Sequence, residues 1–538
     1  MHLLLPLAVF SLVCVASLST LVLYTYPLWK QCSFPSPPSG GQAPFRLLAL
    51  GDPQLEGDSS LINPDDPAFL SVLSFVPAIL AASSVSECGN VCRTTLYEFF
   101  LEDIPRALKN IRKRLDLWGN DYYLAHIYRS LHSLVKPTHV TVLGDLLGSQ
   151  WVDDDEFGRR AWRFWNRVFR GGQRVDDATM NNISVEWLGG DDSWASTIVN
   201  IAGNHDIGYS GDLSRENIDR FQLLFGKVNW AIRFQLPVHQ KNASDSNPST
   251  TAELWIVILN SMNLDTPTLH EDLQSETYQF INNVISTSYP VEDRTAATVV
   301  LTHIPLHKEA GICTDGPLFE FYSSDEGGGL KEQNHLSASA SKGILEGIYG
   351  MSGNPSVPAR GFGRNGIILN GHDHEGCDVY HHISAVEDDE VPGIWDAHRW
   401  AESSQKLNRS IPGIREVTVR SMMGDFGGNT GLLSAWFDDG VHEWRFEYST
   451  CSLGRQHLWW AVHILDLATV VISLIYGTWR LVPSRPTAMG TKTNHRHEDG
   501  ARLDKSFDSG ARSTSIRIKM DPVNRPSRRF KIRAHSMY

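Results

Sequence analysis

Short apolar runs recur through the middle of this chain, and each is followed within two residues by Gly, Asp, Asn or His. Phe45–Leu50, His139–Leu143, Thr197–Ala202, Trp255–Leu259, Thr298–Leu301 and Gly366–Leu369 are such runs. Continuous apolar stretches of this length, bounded by turn residues, predict strands buried on both faces. Later runs near Glu416–Val419 and Glu443–Tyr448 alternate with period two and predict antiparallel strands. Longer stretches with helical period fill the gaps. Asp155–Arg170 sets Phe157, Ala161, Phe164, Trp165 and Val168 on one face, a stripe suited to core packing. Alternating strands and helices predict an α/β fold with mixed sheets flanked by helices. Residues 31–44 are rich in Pro, Ser and Gly and read as a linker, 171–195 and 240–252 as polar loops, and Glu326–Gly329 as a flexible loop.

Two apolar stretches are longer. Leu3 to about Leu23 carries no charge and is long enough to cross a bilayer core, which takes roughly 20 helical residues. A cleaved signal peptide fits the same stretch, although basic residues are missing at its start. Leu458–Trp479 has Trp459 and Trp460 at one end and Tyr476, Trp479 and Arg480 at the other, as interfacial aromatic belts do. His463 and Asp466 lie inside it, three apart and so on one helix face, where they call for a polar partner. The expected organisation is a terminal anchor or signal peptide over 1–25, a linker over 26–45, a body over 46–450, a span over 457–479 and a basic tail over 480–538.

Charge sharpens this division. The chain of 538 residues has a formal net charge of −13. Residues 480–538 hold 14 Lys/Arg against 5 Asp/Glu, a net of +9, which leaves −22 for the rest. An acidic body excludes a nucleic-acid footprint. The basic tail is expected on the cytosolic side, with the body in the lumen. Sequons at Asn182, Asn242 and Asn408 agree. Cys88 and Cys92 are close enough in sequence to pair in an oxidising lumen or to form a zinc half-site, and the other cysteines have no partner assignable from spacing.

The chemistry gathers at the strand ends. Gly51-Asp52-Pro53-Gln54, Gly144-Asp145, Gly203-Asn204-His205-Asp206, Thr302-His303 and Asn370-Gly371-His372-Asp373-His374 each follow an apolar run. One Gly-Asp pair is ordinarily a turn. Five clusters of carboxylate, amide and imidazole donors in this order describe a two-metal phosphoesterase centre, with donors suited to Mn, Fe or Zn. A dinuclear centre needs a ligand shared by both ions, and a carboxylate with two oxygens is the natural bridge, for which Asp145 is the candidate. His205 is placed to give a proton to a leaving oxygen. His381 and His382 are not assigned as ligands.

These clusters resemble, in kind and order, the calcineurin-like metallophosphoesterase superfamily. The resemblance spans roughly residues 46–450 and implies a four-layer sandwich of mixed sheets and helices around two divalent ions. It implies one ion on Asp52, Gln54, Asp145 and His374, and the second on Asp145, Asn204, His303 and His372. His205 takes the catalytic acid position, with Asp206 behind it as its orienting partner. Gln54 departs from the pattern, standing where most of the superfamily has His, and an amide oxygen there shifts preference toward Mn.

Gly51–Gly57, Asn120–Tyr123, His126–Arg129, Pro137–Val140 and Gly144–Trp151 with Asp153–Phe157 further resemble one eukaryotic branch. Its members are membrane-anchored phosphoesterases of the endoplasmic reticulum, described as Mn-dependent, that trim ethanolamine phosphate from glycosylphosphatidylinositol anchors. This implies the anchor glycan of lipid-linked proteins as partner, the endoplasmic reticulum or early Golgi as location, and contact with export machinery. Asp425, in Ser421–Gly428, is a candidate to receive the ethanolamine ammonium. Two alternatives share much of the sequence evidence: a luminal phosphatase acting on nucleotide or lipid phosphates, and a cargo adaptor for anchored proteins.

Overall fold

Two mixed sheets pack face to face in the computed structural model, which describes residues 4–63, 66–181, 184–238, 250–383, 394–402 and 411–481. Met1–Gly477 forms one compact unit. The first sheet runs in the order Glu443–Ser452, Asn429–Asp438, Phe45–Leu50, His139–Val142, Thr197–Asn200, Gln173–Arg174. Its last four strands are parallel and the first two are antiparallel. The second runs Trp395–Arg399, Cys377–Ile383, Gly413–Thr418, Asn365–Asn370, Ala296–Leu301, Thr250–Ile258, Trp230–Val238, Ser184–Trp187.

Successive side chains on a strand point to opposite faces, and that alternation builds the layers. Leu47 and Ala49 face the interior between the sheets, with Val199, Ile256, Val299, Ile367 and Leu433. Leu48 and Leu50 face outward onto helices, against Tyr123, Ile127, Leu131, Phe157 and Phe164. On the other side Val300 and Ile368 meet Ile281, Val284 and Ile344. The result is the expected α/β four-layer sandwich. Each such side chain contributes about 1.5–3 kcal/mol when fully buried, so the inter-sheet layer holds the strand ends at fixed separation.

The predicted strands are present, several extended by a few residues, while His139–Val142 and Thr197–Asn200 end one and two residues early. Two predictions need correction. Residues 171–195, expected as polar loop, hold the edge strands Gln173–Arg174 and Ser184–Trp187. Gly413–Thr418 does not alternate; it is buried along almost its whole length, pairing parallel with Asn365–Asn370 and antiparallel with Cys377–Ile383. A central strand covered on both faces has no solvated side to alternate toward. Glu443–Ser452 is antiparallel as expected. The Asp155–Arg170 stripe is buried apart from the half-buried Trp165, on an α-helix that ends in a π-helical turn at Phe164–Val168.

The cysteines also differ from expectation. Cys88 and Cys92 are unpaired, one turn apart on the helix Val85–Glu98. The bonded pairs are Cys32–Cys451 and Cys313–Cys377, joining residues that only the tertiary fold brings together. Nor is residues 31–44 a free tether: besides Cys32, Phe34 and Ala43 are buried in the body. The three sequons and the basic tail beyond Leu481 lie outside the described residues.

Two helices are long and apolar enough to cross a membrane, Leu4–Trp29 and Gln456–Leu481. They hydrogen-bond each other. Thr20 Oγ1 donates to Asp466 Oδ2 at 2.7 Å, and the Tyr24 hydroxyl lies 3.3 Å from His463 Nε2. The polar partner called for by His463 and Asp466 is therefore the first helix. Two apolar terminal helices together with two disulfides mark a membrane-anchored protein of the secretory pathway.

Candidate metal centre

The five clusters meet at one point because their strands end together. Asp52, Asp145 and Asn204 follow three parallel strands of the first sheet, and His303 and His372 follow two parallel strands of the second. The ligand atoms form two groups, each within 4.8 Å: Asp52, Asp145 and His374, and Asp145, His303 and His372. Asp145 belongs to both, as a bridging carboxylate must. Gln54 borders the first group, its amide Nε2 donating to Asp145 Oδ2 at 3.0 Å and lying 3.2 Å from His374 Nε2. Asn204 completes the second, with Oδ1 3.1 Å from His303 Nε2.

The backbone is strained here. Asp52, Gln54, Asp145 and His372 all adopt left-handed φ, between 42° and 73°. Non-glycine residues rarely do so, and such conformations cluster where the surrounding fold enforces them for function. Gly144 precedes Asp145 at φ +95°, and a Cβ on it would fall 2.1 Å from His303 Nδ1. Glycine is required there by both conformation and space.

Neighbouring backbone sets the imidazoles. His303 Nδ1 is 2.7 Å from the Leu143 carbonyl, which only accepts, so this nitrogen carries hydrogen and Nε2 faces the centre. His372 Nε2 is 2.8 Å from the Gln333 carbonyl, which by the same logic leaves Nδ1 for the centre. Gln333 lies at the end of the hairpin Phe319–Phe321 and Leu330–Gln333 that is away from its turn, so the end of this strand, and not the Gly-rich turn, meets His372.

Electrostatics favour a cation. Asp52 is fully buried, its Oδ2 has no hydrogen-bond partner, and burial pushes its carboxyl up to about 8, with Asp145 adding to the rise against the pull of His303. Burial also opposes ionisation of Asp145, but His303, His205 and His372 outweigh it and hold the group below the ordinary carboxylate range. His303 is disfavoured as a cation by burial, yet Asp145 and Asp52 raise it to about 9. His372 is lowered to about 3 by burial and by His303. Two buried carboxylates, one with an orphaned oxygen, among convergent imidazoles is an arrangement that divalent ions stabilise.

His205 stands at the mouth. Its backbone N–H donates to Asp145 Oδ1 at 2.9 Å, and its ring Nε2 lies 3.8 Å from Asp145 Oδ2 with the side chain partly exposed. Asp206 does not orient it, contrary to expectation. The Asp206 carboxylate accepts from the backbone N–H groups of Gly203, Leu146 and Leu147 at 2.9–3.1 Å, tying two ligand loops together. The short helix that begins at Asn204 turns Asp206 inward and His205 outward.

A cleft of about 390 Å³ opens beside Asp52, Gln54 and His374. Asp425 is on its wall and paired with Arg420 at 3.0 Å; Glu375 pairs with the same guanidinium at 2.7 Å. Two carboxylates against one arginine leave one negative charge.

Sequence reasoning passed over Glu416. It is fully buried and accepts four hydrogen bonds: Leu306 N–H and Asn370 Nδ2 on Oε1, Lys308 Nζ and His381 Nε2 on Oε2, all at 2.6–2.8 Å. It thereby joins the loop after His303 to the strand end before His372, and Cys313–Cys377 ties the same loop to the strand that follows His374. Two adjacent charged residues, Arg415 and Glu416, inside a short strand were the available signal. His381 is accounted for by Glu416; His382 groups with Asp396 and His398 on the sheet-edge hairpin, apart from the two sets above.

No family model matches the chain. It is 33% identical to Protein TED1 of Saccharomyces cerevisiae over 406 residues, covering 66% of this chain and 77% of that protein. It is 26% identical over 397 residues to Uncharacterized protein C23A1.02c of Schizosaccharomyces pombe, covering 67% and 81%. Metallophosphoesterase 1 of Danio rerio is 22% identical over 338 residues, covering 58% and 74%. Among solved structures, GAP50, the anchor in the inner membrane complex of Plasmodium, aligns with 10% identity and a TM-score of 0.27 over 62% of this chain and 84% of that one.

Proposed function

The chain belongs to the metallophosphoesterase-like family of Protein TED1 and Metallophosphoesterase 1, and on that premise we propose that it is a dinuclear, metal-dependent phosphodiesterase that removes ethanolamine phosphate from a mannose of glycosylphosphatidylinositol anchors. The observation that carries this reading is the pair of donor sets sharing Asp145 beside an open cleft. The branch motifs noted in the sequence supply the substrate. The two apolar helices agree with a lipid-linked one in the endoplasmic reticulum, with the body luminal and the tail cytosolic. The bonds of Thr20 and Tyr24 to the second helix support retention of the first as an anchor.

Asp52, Gln54, Asp145 and His374 would hold one ion, and Asp145, Asn204, His303 and His372 the other. The amide donor Gln54 favours Mn over Zn or Fe. When bound, two divalent ions neutralise the phosphate and supply a nucleophile at neutral pH. The chain's own groups do the rest. A new P–O bond forms from water as the bond to the mannose oxygen breaks, and His205 Nε2 gives that oxygen its proton, regaining one from the water consumed. Its partial exposure lets it reach both the centre and the leaving group. The net negative charge of Asp425, Glu375 and Arg420 has the sign to receive the ethanolamine ammonium.

The test is hydrolysis by the full chain with Mn of a panel of phosphomonoesters and phosphodiesters. Diesters should be preferred, and His205→Ala should slow turnover by about 10²–10⁴-fold at unchanged metal content. Preference for monoesters would replace this reading with the general phosphatase. In cells lacking the protein, glycan analysis of anchored proteins should find ethanolamine phosphate retained on one mannose.

A further inference from the structure

One part of the body is dressed for a solvent other than water. The helix Leu70–Ala81 carries no charged residue and buries only Ser71. Val85–Glu98 packs beside it and buries nothing. The pair is fixed at its base, where Asp103 accepts from Ser71 N–H at 2.9 Å and Ser71 Oγ at 2.6 Å, and Arg106 bonds Asp103 and the Pro67 carbonyl. Its far end is bare: Leu80 is 81% exposed and Val85 91%. The apolar surface continues along the helix Ile104–Val135 as Leu108, Ile111, Leu115, Trp118 and Tyr122, all exposed at helical spacing. Soluble proteins rarely leave contiguous apolar patches larger than a few hundred Å² uncovered.

This strip runs onto the membrane helices. The Trp118 ring is 6.3 Å from that of Trp460, near the start of the second apolar helix. Gly119 admits the Trp460 indole, which a Cβ would meet at 1.7 Å. Farther along, Tyr24 of the first apolar helix packs edge-on against His126 at 4.8 Å. Arg112 and Arg114 flank the strip and are exposed, as basic residues are on helices lying in a lipid interface.

We infer that residues 69–122 form a third membrane contact, a helical hairpin and amphipathic strip embedded in the same leaflet that the catalytic body faces. This rests on reading the two terminal helices as spans. It has a consequence for the substrate. The inward face of the same helix, at Leu117, Asn120, Asp121 and Leu124, lines the cleft beside the metal centre, and Asn120 is bonded to Gln456 at the head of the second apolar helix. The cleft therefore opens at the bilayer surface and takes a phosphodiester borne on a membrane lipid.

The experiment uses the full chain in phosphatidylcholine proteoliposomes, with Cys14, Cys88 and Cys92 changed to Ser. A fluorophore is attached to a single cysteine in each of four variants, Leu80→Cys, Ile111→Cys, Leu467→Cys in the second apolar helix and Leu223→Cys on the body. All four positions are exposed, so the labels displace no core side chain. Lipids brominated in their acyl chains should quench emission about twofold or more at Leu80, Ile111 and Leu467, and not at Leu223. Quenching at Leu467 alone overturns the hairpin while leaving the spans standing. Energy transfer between labels on two molecules, without quenching at Leu80 and Ile111, shows that a second copy covers the strip instead. Absence of quenching at Leu467 removes the spans and the inference with them.

Discussion

Replacing Glu416 with Gln tests whether the metal centre is held in place by a buried charge. The substitution keeps shape and an acceptor oxygen but removes the negative charge facing Lys308, which is itself only 1% exposed at a distance of 2.8 Å. Breaking a buried pair by neutralising one partner costs about 3–5 kcal/mol, because the other charge is stranded. The retained amide oxygen can still accept from Leu306 N–H and Asn370 Nδ2, which argues for the low end, about 3 kcal/mol. The sign with pH follows from the direction of the shift. Burial opposes the charge on Glu416, but Lys308 and His381 outweigh it and hold the carboxyl well below its ordinary 4.5. A depressed folded pKa gives stability that is present above the unfolded value and lost as pH falls through the folded one. The deficit of Glu416→Gln should thus be constant above pH 4.5 and shrink below it. Thermal unfolding of the detergent-solubilised full chain, followed by tryptophan fluorescence, reads this at pH 7 and at acid pH. Lys308→Met should cost a similar amount, and the double variant less than the sum, with a coupling of about 2 kcal/mol or more. Additive effects, or a Gln variant within about 1 kcal/mol of the parent, would refute the reasoning. Metal content should fall less than stability, because the retained amide oxygen keeps the bonds from Leu306 and Asn370 that position the segments of His303 and His372.

Other outcomes follow from the same geometry. Asp145→Asn should empty both metal positions together, measured by elemental analysis of the purified protein, whereas Asp52→Asn should deplete one of the two. Gly144→Ala should abolish metal binding and lower the thermal midpoint, since its Cβ has no space beside His303 and its φ is left-handed. Thr20→Val and Asp466→Leu should each weaken association of the two apolar helices by about 1 kcal/mol and should not add in the double variant, read by unfolding in a graded detergent series.

The donor set was legible in the chain because each ligand type sits at the end of an apolar run, and a run of that kind becomes a buried parallel strand whose C-terminal end feeds the site. Local pattern also found the two apolar helices and the misplaced polarity of His463 and Asp466. Pairings at long range were not legible. Nothing in spacing ties Cys32 to Cys451 or Thr20 to Asp466, since those contacts exist only after the sheets and helices have packed. Asp206 shows the same limit at short range: adjacency to His205 suggested partnership, but one step along a helix turned the two side chains to opposite sides. Glu416 read as part of a strand, and its role as a hub depended on one loop and two neighbouring strands arriving around it. The apolar run at 69–82 was open to view, yet whether it enters a core or faces outward is a matter of what packs on it. Sequence by itself therefore determined the donor types and where the strands lie along the chain, which are properties of local composition and period. Tertiary structure decided which charges are buried, which cysteines bond and which apolar face stays bare, because burial is set by neighbours distant in the chain.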